Sequence, residues 1–550
     1  MLKIALCQIN PWVGHLSYNF DKLKEAYLPV KGDADLVAFP ECAATGYPLE
    51  DLVLKSHFME KVQEMAREFA LVTVAQKAAI LLGCPWVVDG KIVNAALFIQ
   101  DGKICHVISK YALPNYGVFD EKRVFERGAL PSPISYKGFQ IGAMICEDMW
   151  VPEPAKHLQE KGADFLLVIN GSPFDLDKDE RRKEQAQKRN EETKLPLVYL
   201  NLVGGQDSLI FDGRSFVLNE QGDEICKFPG FSEATQILDI EKKEGRLVMV
   251  PAYGKDIQEE QNSLLYRALV LGLKDYVEKN RFGGVLLGLS GGIDSAIVAA
   301  IAVDALGPDR VSCVMMPSPY TSKESFEDAE AIAKTLGISY DIISIEPAMA
   351  AYSAMLKDKF SGRGQDTTEE NIQSRARGMI LMALSNKLGW MVLSTGNKSE
   401  MAVGYATLYG DMCGGYNPLK DVYKTQVFAL SRWRNGNSHP DFLGPKGSVM
   451  PDRVITKPPS AELKPDQKDQ DSLPEYEVLD AILHKLIEED ASIEDIAESG
   501  IAYAEALRVF KMLDRAEYKR RQAPPGPKIT AKALSFERRY PITNGFMLNL

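Results

Sequence analysis

The sequence predicts two consecutive α/β units, each built around a largely parallel sheet. Short apolar runs rich in β-branched residues alternate with amphipathic stretches, which is the pattern of strands buried on both faces with helices between them. In the first half these runs occupy residues 35–41, 78–88, 139–148, 163–173 and 195–204. In the second half a helical pattern at residues 262–284 precedes runs at residues 285–289, 310–319, 338–345 and 390–397. The recurrence of this order predicts a second α/β domain.

Composition excludes several classes of protein. The chain has 550 residues, of which 45% are hydrophobic, so full cores are expected, and roughly three to four folding units fit this length. Its 42 glycines and 30 prolines are too few for a collagen-like or low-complexity chain. The formal net charge is −12, so the chain as a whole is not expected to bind nucleic acid nonspecifically.

The cysteines and the first residues indicate the cellular compartment in which the protein is expected. The eight cysteines are scattered without a CxxC pair, so neither a zinc site nor a disulfide framework is expected. The opening apolar run stops at Pro11, which predicts a strand and not a secretory signal. No apolar stretch approaches the roughly 18 residues that indicate a membrane span. We therefore predict a soluble, cytoplasmic protein without a membrane partner.

A segment of mixed composition lies between the two predicted units. Residues 238–256 mix charge with Gly and Pro and show no sustained period, so they are predicted to connect the two halves. We place the first unit at residues 1–250, a linker at residues 251–262 and the second unit at residues 263–550.

Two further segments have an unusual composition. Gly, Pro, Asp and Lys dominate residues 431–472, which predicts a long loop or lid. Residues 518–532 are basic and proline-rich in an otherwise acidic chain. This local reversal of charge predicts a partner for the basic segment.

Three reactive side chains occur where strand patterns end in the first half: Glu41, Lys110 and Cys146. The ends of strands in an α/β sheet are where such groups converge on a ligand. A thiol that attacks a carboxamide needs a base to take its proton and a cation to stabilise the oxyanion. Cys146, Glu41 and Lys110 fit these roles in that order. The same residues alone also fit a buried core cysteine and ordinary surface charges.

The surrounding motifs carry a resemblance. Glu41 lies in FPE, Lys110 opens K-x-x-L-P-N, and Cys146 opens C-E-D. These motifs, in this order over about the first 250 residues, resemble the nitrilase and amidase superfamily. The resemblance implies an αββα sandwich with a Glu, Lys and Cys triad.

The glutaminase members of that superfamily imply further contacts with glutamine. The matching positions are Tyr116, Ser172 and Lys178, with Tyr47 and Glu147 as additional positions. Lys178 also fits the solvated start of a helix, since it begins a highly charged stretch.

The second half contains a glycine-rich turn between a strand and a helix, LLGLSGGIDSA at residues 286–296. Glycines let backbone N–H groups close on a phosphate, the helix N-terminus adds positive potential, and Asp294 can hold Mg²⁺. The turn lacks the GK[ST] ending of a Walker loop, which disfavours a kinase or GTPase. S-G-G-x-D-S resembles the PP-loop of the ATP pyrophosphatases, which adenylate a substrate and expel pyrophosphate. The predicted ATP-binding residues of this turn are Gly288, Leu289, Ser290, Gly291, Gly292, Ile293, Asp294 and Ser295.

Four more segments resemble the NAD synthetase family: residues 370–378, 394–400, 404–411 and 419–427. The resemblance assigns Thr395 and Lys424 to ATP, Asn371 and Lys519 to deamido-NAD⁺, and Glu400 to deamido-NAD⁺ or to Mg²⁺. Mg²⁺ is expected at Asp294 and Glu400.

The helical and loop patterns of these segments leave two points open. Glu370, Gln373, Ser374 and Arg377 share one face of a helix, which either lines a nucleotide groove or faces solvent. Residues 409–421 depart from the shorter, ammonia-using members of the family, so the loop conformation around Asp411 is not predicted.

Together the two halves resemble the family of glutamine-dependent NAD⁺ synthetases over nearly the whole chain. The resemblance implies a second unit that is a Rossmann-like parallel α/β domain, and a reaction in which glutamine-derived ammonia and ATP convert deamido-NAD⁺ to NAD⁺, AMP and pyrophosphate through an acyl adenylate. It also implies a shielded passage for ammonia and a homo-oligomer, at least a dimer. The alternative is another PP-loop glutamine amidotransferase or ligase with a nitrilase-type glutaminase.

Overall fold

The computed structural model describes residues 1–243, 246–251, 259–534 and 537–546. The chain forms two compact units, Met1–Glu259 and Glu260–Leu550. Within the described residues, we find no helix whose length and apolar character would let it span a membrane.

The first unit alternates strands with helices. Its strands are β1 (Leu2–Gln8), β2 (Leu36–Ala38), β3 (Ala79–Val88), β4 (Lys91–Gln100), β5 (Lys103–Ser109), β6 (Ile134–Tyr136), β7 (Phe139–Ile145), β8 (Phe165–Asn170), β9 (Leu197–Asn201), β10 (Val203–Gln206), β11 (Leu209–Asp212), β12 (Phe216–Leu218), β13 (Glu224–Lys227), β14 (Ala234–Lys243) and β15 (Arg246–Pro251). Its helices are α1 (Leu16–Tyr27), α2 (Ser56–Ala70), α3 (Pro152–Glu160) and α4 (Lys178–Thr193), with short 3-10 helices at Glu50–Leu54, Leu71–Thr73, Glu121–Arg123 and Cys146–Met149.

Two sheets of this unit pack face to face. One has the order β15-β14-β1-β2-β3-β4-β5 and the other β13-β12-β9-β8-β7-β6, while β10 and β11 form a separate pair. A single core contains Ile4 and Leu81 from the first sheet together with Ile141 and Phe165 from the second. Helices α1 and α2 cover the outer face of the first sheet, and α3 and α4 cover that of the second. The predicted αββα sandwich is confirmed.

Alternation along a strand explains how each sheet serves two cores. In β1, Ile4 and Leu6 face the core between the sheets, whereas Ala5 and Cys7 face the helices, because successive side chains of a strand point to opposite faces. The middle strands of both sheets are parallel. Their carboxyl ends therefore lie at common edges, which is where Glu41 and Cys146 follow. Lys110 follows the edge strand β5, which runs in the same direction as β3 because β4 is antiparallel to both.

The prediction of a connection at residues 238–256 is wrong where the structure describes it. Strand β14 pairs with β1 from Leu2↔Ile240 onward, and β15 pairs with β14, so both complete the first sheet. Charged residues occur here because these strands lie towards the sheet edge, where alternate side chains meet water. Residues 252–258 of the predicted linker lie outside the described residues, and a helix begins at Gln261, inside the predicted linker.

The second unit is a parallel sheet with many helices. Its strands are β16 (Val285–Gly288), β17 (Val311–Met315), β18 (Ser339–Ile342) and β19 (Met391–Val392). Its helices are α5 (Gln261–Lys279), α6 (Ile293–Leu306), α7 (Lys323–Leu336), α8 (Glu346–Phe360), α9 (Thr367–Leu388), α10 (Lys398–Val403), α11 (Lys424–Gly436), α12 (Asp452–Thr456), α13 (Tyr476–Ile487), α14 (Ile493–Glu498), α15 (Tyr503–Arg515) and α16 (Glu517–Arg520), with 3-10 helices at Pro308–Arg310 and Asp469–Asp471. The strand order is β18-β17-β16-β19 and all three pairings are parallel, which confirms the predicted second α/β domain.

The predicted loop at residues 431–472 is irregular over most of its length, but its first residues belong to α11. The guanidinium of Arg434 anchors the segment: it is buried, binds both carboxylate oxygens of Asp304 in α6 at 2.7 and 3.0 Å, and donates to the carbonyl oxygens of Pro445 and Gly447. A bidentate, buried pair of this kind fixes the path of the loop that follows α11.

The basic segment at residues 518–532, for which a partner is predicted, finds carboxylate partners within the second unit. Arg520 and Arg521 both bind Glu517, and Lys532 binds Asp490. One of these carboxylates, Glu517, directly precedes the segment in the chain, and the other, Asp490, reaches it through the fold.

Candidate active sites

The first candidate site lies where β2, β5 and β7 end. Glu41 follows β2, Lys110 follows β5 directly, and Cys146 follows β7 directly. Cys146 has a φ of 45°, a left-handed conformation that is uncommon for a residue other than glycine and is often found at functional sites. Gly83 of β3 admits the backbone of this region, because a Cβ there would lie 2.0 Å from the Pro40 carbonyl oxygen.

Glu41 and Lys110 form a buried ion pair. The Glu41 Oε1 accepts hydrogen bonds from Lys110 Nζ and from Asn94 Nδ2, both at 2.7 Å, and its Oε2 accepts one from the Gly171 backbone N–H at 2.6 Å. Both carboxylate oxygens are thus held in fixed positions. The surrounding protein therefore fixes the orientation of the predicted base before any substrate arrives.

Cys146 lies within the electrostatic field of this pair. Its side chain is 4% exposed. Burial, reinforced by the Glu41 carboxylate, raises the pKa of the Cys146 thiol well above its usual value, whereas Lys110 lowers it. The resting sulfur is therefore a thiol, which needs a nearby base to become a nucleophile.

Sequence reasoning missed a second carboxylate at this site, Glu121. Its Oε1 accepts hydrogen bonds from Lys110 Nζ and from the Tyr47 hydroxyl, each at 2.8 Å, while its Oε2 has no hydrogen-bond partner among the described residues. Burial raises the pKa of Glu121 to about 7. Lys110 thus lies between two carboxylates. Nothing in the local sequence, a charged loop segment, distinguishes Glu121 from a solvated residue.

The residues predicted to bind glutamine divide between the surface and the interior. Tyr116 is 53% exposed, and its hydroxyl donates to the Glu147 carboxylate at 3.0 Å. Ser172 is buried, and its Oγ accepts from Arg182 Nε at 3.0 Å. Lys178 begins α4, with its Nζ 4.6 Å from the centroid of the Trp150 ring.

The electrostatic environment of Lys178 is unusual for a lysine. Burial lowers the pKa of Lys178 to about 8, and both neighbouring arginines, Arg182 and Arg181, act in the same direction. The Cys146 sulfur also interacts electrostatically with this ammonium group. These interactions are unlike those of a solvated helix start, and they put Lys178 near the candidate nucleophile.

The second candidate site is a cavity of about 570 Å³ in the second unit. Its lining includes nearly all the residues predicted to bind nucleotides: Gly288, Leu289, Ser290, Gly292, Ile293, Asp294, Ser295, Asn371, Thr395, Glu400, Lys424 and Lys519. Gly291 is not part of the lining. It has a φ of 80°, and a Cβ there would lie 2.4 Å from the Ser325 carbonyl oxygen, so only glycine permits this close approach.

The glycine-rich turn opens the cavity towards the start of α6. Ser295 Oγ accepts from the Ser290 backbone N–H at 3.2 Å and donates to the Gly292 carbonyl oxygen at 3.0 Å. These bonds close the turn on itself, and α6 begins at Ile293. A turn with this shape before a buried helix is suited to an anion such as a phosphate.

Carboxylates surround one buried ammonium group in the cavity. Asp294 binds Lys424 Nζ and accepts a hydrogen bond from Asn397 Nδ2 at 2.9 Å. The Glu400 Oε1 lies 3.6 Å from Lys424 Nζ, and burial raises the pKa of Glu400 to about 8. Asp469, which sequence reasoning missed, also lines the cavity, and its Oδ1 has no hydrogen-bond partner within the described chain.

The carboxylate oxygens of this cavity fit a hard cation such as Mg²⁺ only if a bound nucleotide supplies further oxygen ligands. The described residues contain no group of three or more His, Cys, Asp or Glu side chains that could hold a metal ion by themselves. Mg²⁺, however, is commonly held by one or two carboxylates together with substrate phosphates. Asp294, Glu400 and the unpartnered oxygen of Asp469 supply oxygen ligands beside a phosphate-binding turn, so the residues fit Mg²⁺ bound with a nucleotide.

The residues predicted to bind the dinucleotide are held by internal hydrogen bonds. Lys519 Nζ donates to the carbonyl oxygens of Gly404 and Ala406, each at 2.8 Å. Asn371 Oδ1 accepts from Thr407 Oγ1 at 2.8 Å. These bonds tie the loop after α10 to both α9 and α16.

The structure also answers the two points that the sequence left open. Asp411 is fixed, because its Oδ1 accepts from the Thr407 backbone N–H at 2.7 Å and from Ser374 Oγ at 2.9 Å. On the predicted helix face, Glu370, Ser374 and Arg377 line the cavity. Gln373 does not line it and instead donates to the Leu463 carbonyl oxygen.

Comparisons with known proteins agree with this division of the chain. Residues 3–248 match the carbon-nitrogen hydrolase family and residues 265–523 match the NAD synthase family. The chain is 47% identical to the glutamine-dependent NAD(+) synthetase of Rhodobacter capsulatus, covering 98% of each chain. It is 45% identical to that of Acinetobacter baylyi, covering 99% of this chain and 98% of the relative.

A solved structure extends the likeness to three dimensions. The glutamine-dependent NAD+ synthetase of Acinetobacter baumannii, solved with ADP, has a TM-score of 0.78 and 43% identity, covering 99% of each chain. Identity at this level over the full length is sufficient to assign a family. The chain therefore belongs to the family of glutamine-dependent NAD(+) synthetases.

Proposed function

We propose that this chain hydrolyses glutamine in its first unit and uses the ammonia, with ATP, to amidate deamido-NAD⁺ in its second unit. The products are glutamate, NAD⁺, AMP and pyrophosphate. The single observation that carries the proposal is the buried Glu41–Lys110 pair beside Cys146, in a chain whose full length resembles glutamine-dependent NAD(+) synthetases.

In the proposed glutaminase reaction, Glu41 takes the proton of the Cys146 thiol and the sulfur attacks the carboxamide carbon of glutamine. Lys110 stabilises the oxyanion that forms, since its ammonium group is fixed and desolvated. The tetrahedral intermediate collapses as Glu41 returns the proton to the departing nitrogen, so ammonia leaves and a glutamyl thioester remains. Water activated by Glu41 then hydrolyses the thioester.

The amino acid end of glutamine needs its own contacts. We assign these to Tyr116, Ser172 and Lys178. Ser172 is held in place by Arg182, whose guanidinium is itself fixed by Asp212 at 2.8 Å. Lys178 offers a positive charge for the substrate carboxylate.

In the proposed synthetase reaction, the turn from Ser290 to Ser295 and Lys424 hold the phosphates of ATP, with Thr395 beside them. Asn371, Glu400 and Lys519 hold deamido-NAD⁺. The nicotinate carboxylate attacks the α-phosphate, pyrophosphate leaves, and an acyl adenylate forms. Ammonia then attacks the acyl carbon and AMP leaves, which gives the nicotinamide.

We further propose that Asp294 and Glu400 hold Mg²⁺ when ATP is bound. An ion bound there would supply positive charge beside the phosphates, which is the chemistry that the departure of pyrophosphate requires. Because Lys424 pairs with both carboxylates in the structure, the phosphates of ATP would take over part of the bonding of its ammonium group.

The protein is also proposed to form a homo-oligomer, at least a dimer. Helix α8 has no buried residue, and its Tyr352 and Met355 are exposed together with Met379 and Met382 of α9. Exposed apolar side chains on adjacent helices suit a second copy of the same chain. Sedimentation of the purified protein measures the assembly.

One assay tests the proposed function as a whole. The purified protein is incubated with ATP, Mg²⁺, glutamine and deamido-NAD⁺, and the products are identified. We expect glutamate, AMP, pyrophosphate and NAD⁺. Formation of ADP and phosphate, or glutamate formation without NAD⁺, contradicts the proposal.

A further inference from the structure

The two carboxylate oxygens of Asp148 bind different segments of the first site. Asp148 is completely buried. Its Oδ1 accepts hydrogen bonds from the backbone N–H groups of Tyr111 and Ala112 at 3.0 and 2.8 Å. Its Oδ2 accepts one from the backbone N–H of Ile145 at 3.1 Å. One side chain therefore joins the segment after Lys110 to the segment before Cys146.

These backbone groups need such a partner. Strand β5 ends at Ser109, so the N–H groups of Tyr111 and Ala112 lie beyond the sheet. A buried N–H without a partner costs about 1–3 kcal/mol, and Asp148 supplies the acceptor for both. The backbone of Lys110 itself is fixed on either side, by its N–H to the Asn94 carbonyl oxygen and by its carbonyl oxygen to the Gly128 N–H, each at 2.8 Å.

The other end of the connection is the strained turn at the nucleophile. Ile145 is the last residue of β7, and Cys146 follows with its left-handed backbone. Burial raises the pKa of Asp148 to about 6, while its hydrogen bonds from three backbone N–H groups favour the charged form. A shift of this carboxylate would uncouple the segment that directly follows Lys110 from the turn at Cys146.

We propose that Asp148 is a positioning residue of the glutaminase site, which holds the Lys110 segment and the Cys146 turn in the relative position that oxyanion stabilisation requires. The proposal rests on the function proposed above for Glu41, Lys110 and Cys146. Asp148 touches neither the thiol nor the substrate in this role. It acts through the two backbone segments that it joins.

The test compares Asp148→Asn with the wild type. An amide offers an acceptor to only one of the two segments and turns a donor towards the other. We expect kcat for glutamine hydrolysis to fall about 10- to 100-fold, because small displacements at a reacting centre have effects of this size. KM for glutamine should change less than about threefold, since the contacts with glutamine remain. Synthesis of NAD⁺ from ammonium salt should not change.

A second measurement separates positioning from charge. Alkylation of Cys146 by iodoacetamide is followed against pH, with the Cys146 peptide identified by mass spectrometry. Displacement of Lys110 should move the midpoint of this profile to higher pH, because the cation that favours the thiolate is less close. Loss of the Asp148 charge alone would move it to lower pH.

The matched control is Asp35→Asn. Asp35 is also buried and accepts a backbone N–H, that of Lys3 at 2.8 Å, and in addition it pairs with Lys137 and Lys77. It lies before β2, at the opposite end of that strand from Glu41. This variant should retain the wild-type kcat and alkylation profile. The thermal stability of this variant shows how much the loss of one buried negative charge destabilises the first unit.

The following results overturn the proposal or the proposed function on which it rests. A folded Asp148→Asn protein with wild-type kcat, or with an alkylation midpoint at lower pH, overturns the proposal. If this variant does not fold, Asp148→Glu, which keeps the charge but displaces the carboxylate by about one bond length, should show the same two changes, and wild-type values for it overturn the proposal. Failure of both variants to fold assigns Asp148 to stability and overturns it equally. Glutamine hydrolysis that persists in Cys146→Ala instead contradicts the proposed function.

Discussion

The two candidate sites differ in how completely the protein has arranged their charges. Glu41, Lys110 and Cys146 are between 0% and 4% exposed, and strand ends hold them against fixed partners. The site in the second unit is a cavity of about 570 Å³, where Asp294 is 18% exposed at its side chain. A neutral amide needs a dry, fixed environment for the oxyanion that forms on it, whereas a polyanionic nucleotide needs charged groups that can exchange partners.

We expect the largest effect from the removal of the nucleophile. Cys146→Ala should lower NAD⁺ formation from glutamine by about 10⁴-fold or more, because removal of a nucleophile leaves only binding and oxyanion effects. Formation from ammonium salt should persist at the wild-type rate. Initial rates with the two nitrogen sources measure this, and loss of both activities would contradict separate sites.

A change in the cavity should affect both nitrogen sources alike. Asp294→Asn should lower synthesis from glutamine and from ammonium salt by a similar factor, on the order of 100-fold, because phosphate and metal binding precede the use of ammonia. The measurement is NAD⁺ formation over a range of Mg²⁺ concentrations. Ordinary turnover in this variant would remove Asp294 from the proposed metal site.

The lowered pKa of Lys178 predicts a pH effect confined to the first unit. The ammonium form loses its proton as pH rises through about 8, so the charge that we propose for binding the glutamine carboxylate is present below that pH and absent above it. KM for glutamine should rise about tenfold between pH 7 and pH 9.

The control for this pH effect is Lys178→Arg, whose guanidinium stays charged over the whole range. The rise in KM that remains in this variant reports the titration of glutamine itself. Equal profiles for the two proteins would show that Lys178 does not bind the substrate carboxylate.

The smallest expected effect concerns Lys519. Lys519→Ala should raise the apparent KM of deamido-NAD⁺ about five- to tenfold, the size expected for one charge-assisted contact, and change that of ATP less. The loop after α10 also loses two hydrogen bonds in this variant. Steady-state kinetics with each substrate varied tests this, and equal effects on both would refute the assignment.

Several parts of this architecture could be predicted because their signals are local. The apolar runs predicted β2, β3, β7, β8 and β9 of the first unit and all four strands of the second, and the glycine-rich turn predicted the start of α6. Strands β14 and β15 do not show in the sequence as strands, because they lie towards a sheet edge, carry charge and lack a long apolar run. The basic C-terminal segment finds its partners at two ranges: Glu517 pairs with Arg520 and Arg521 at helical spacing, whereas the pair of Lys532 with Asp490 joins residues that are distant in the chain.

The roles of the individual site residues, the bound Mg²⁺, the shielded passage for ammonia and the cytoplasmic location stay predictions. The variants described above test the first two directly.

The sequence by itself determined that there are two α/β units, where their strands end and which residues follow those ends, because hydrophobic alternation and glycine turns are set by short-range backbone constraints. Only the tertiary structure decided that Glu121 joins Glu41 at Lys110, that Asp148 connects the Lys110 segment to Cys146, and that Asp469 joins the carboxylates of the cavity. These contacts join residues that are separated in the chain. Their acidic side chains look alike in the sequence, and the order of the strands and the paths of the loops determine which of them approach a given lysine or backbone N–H.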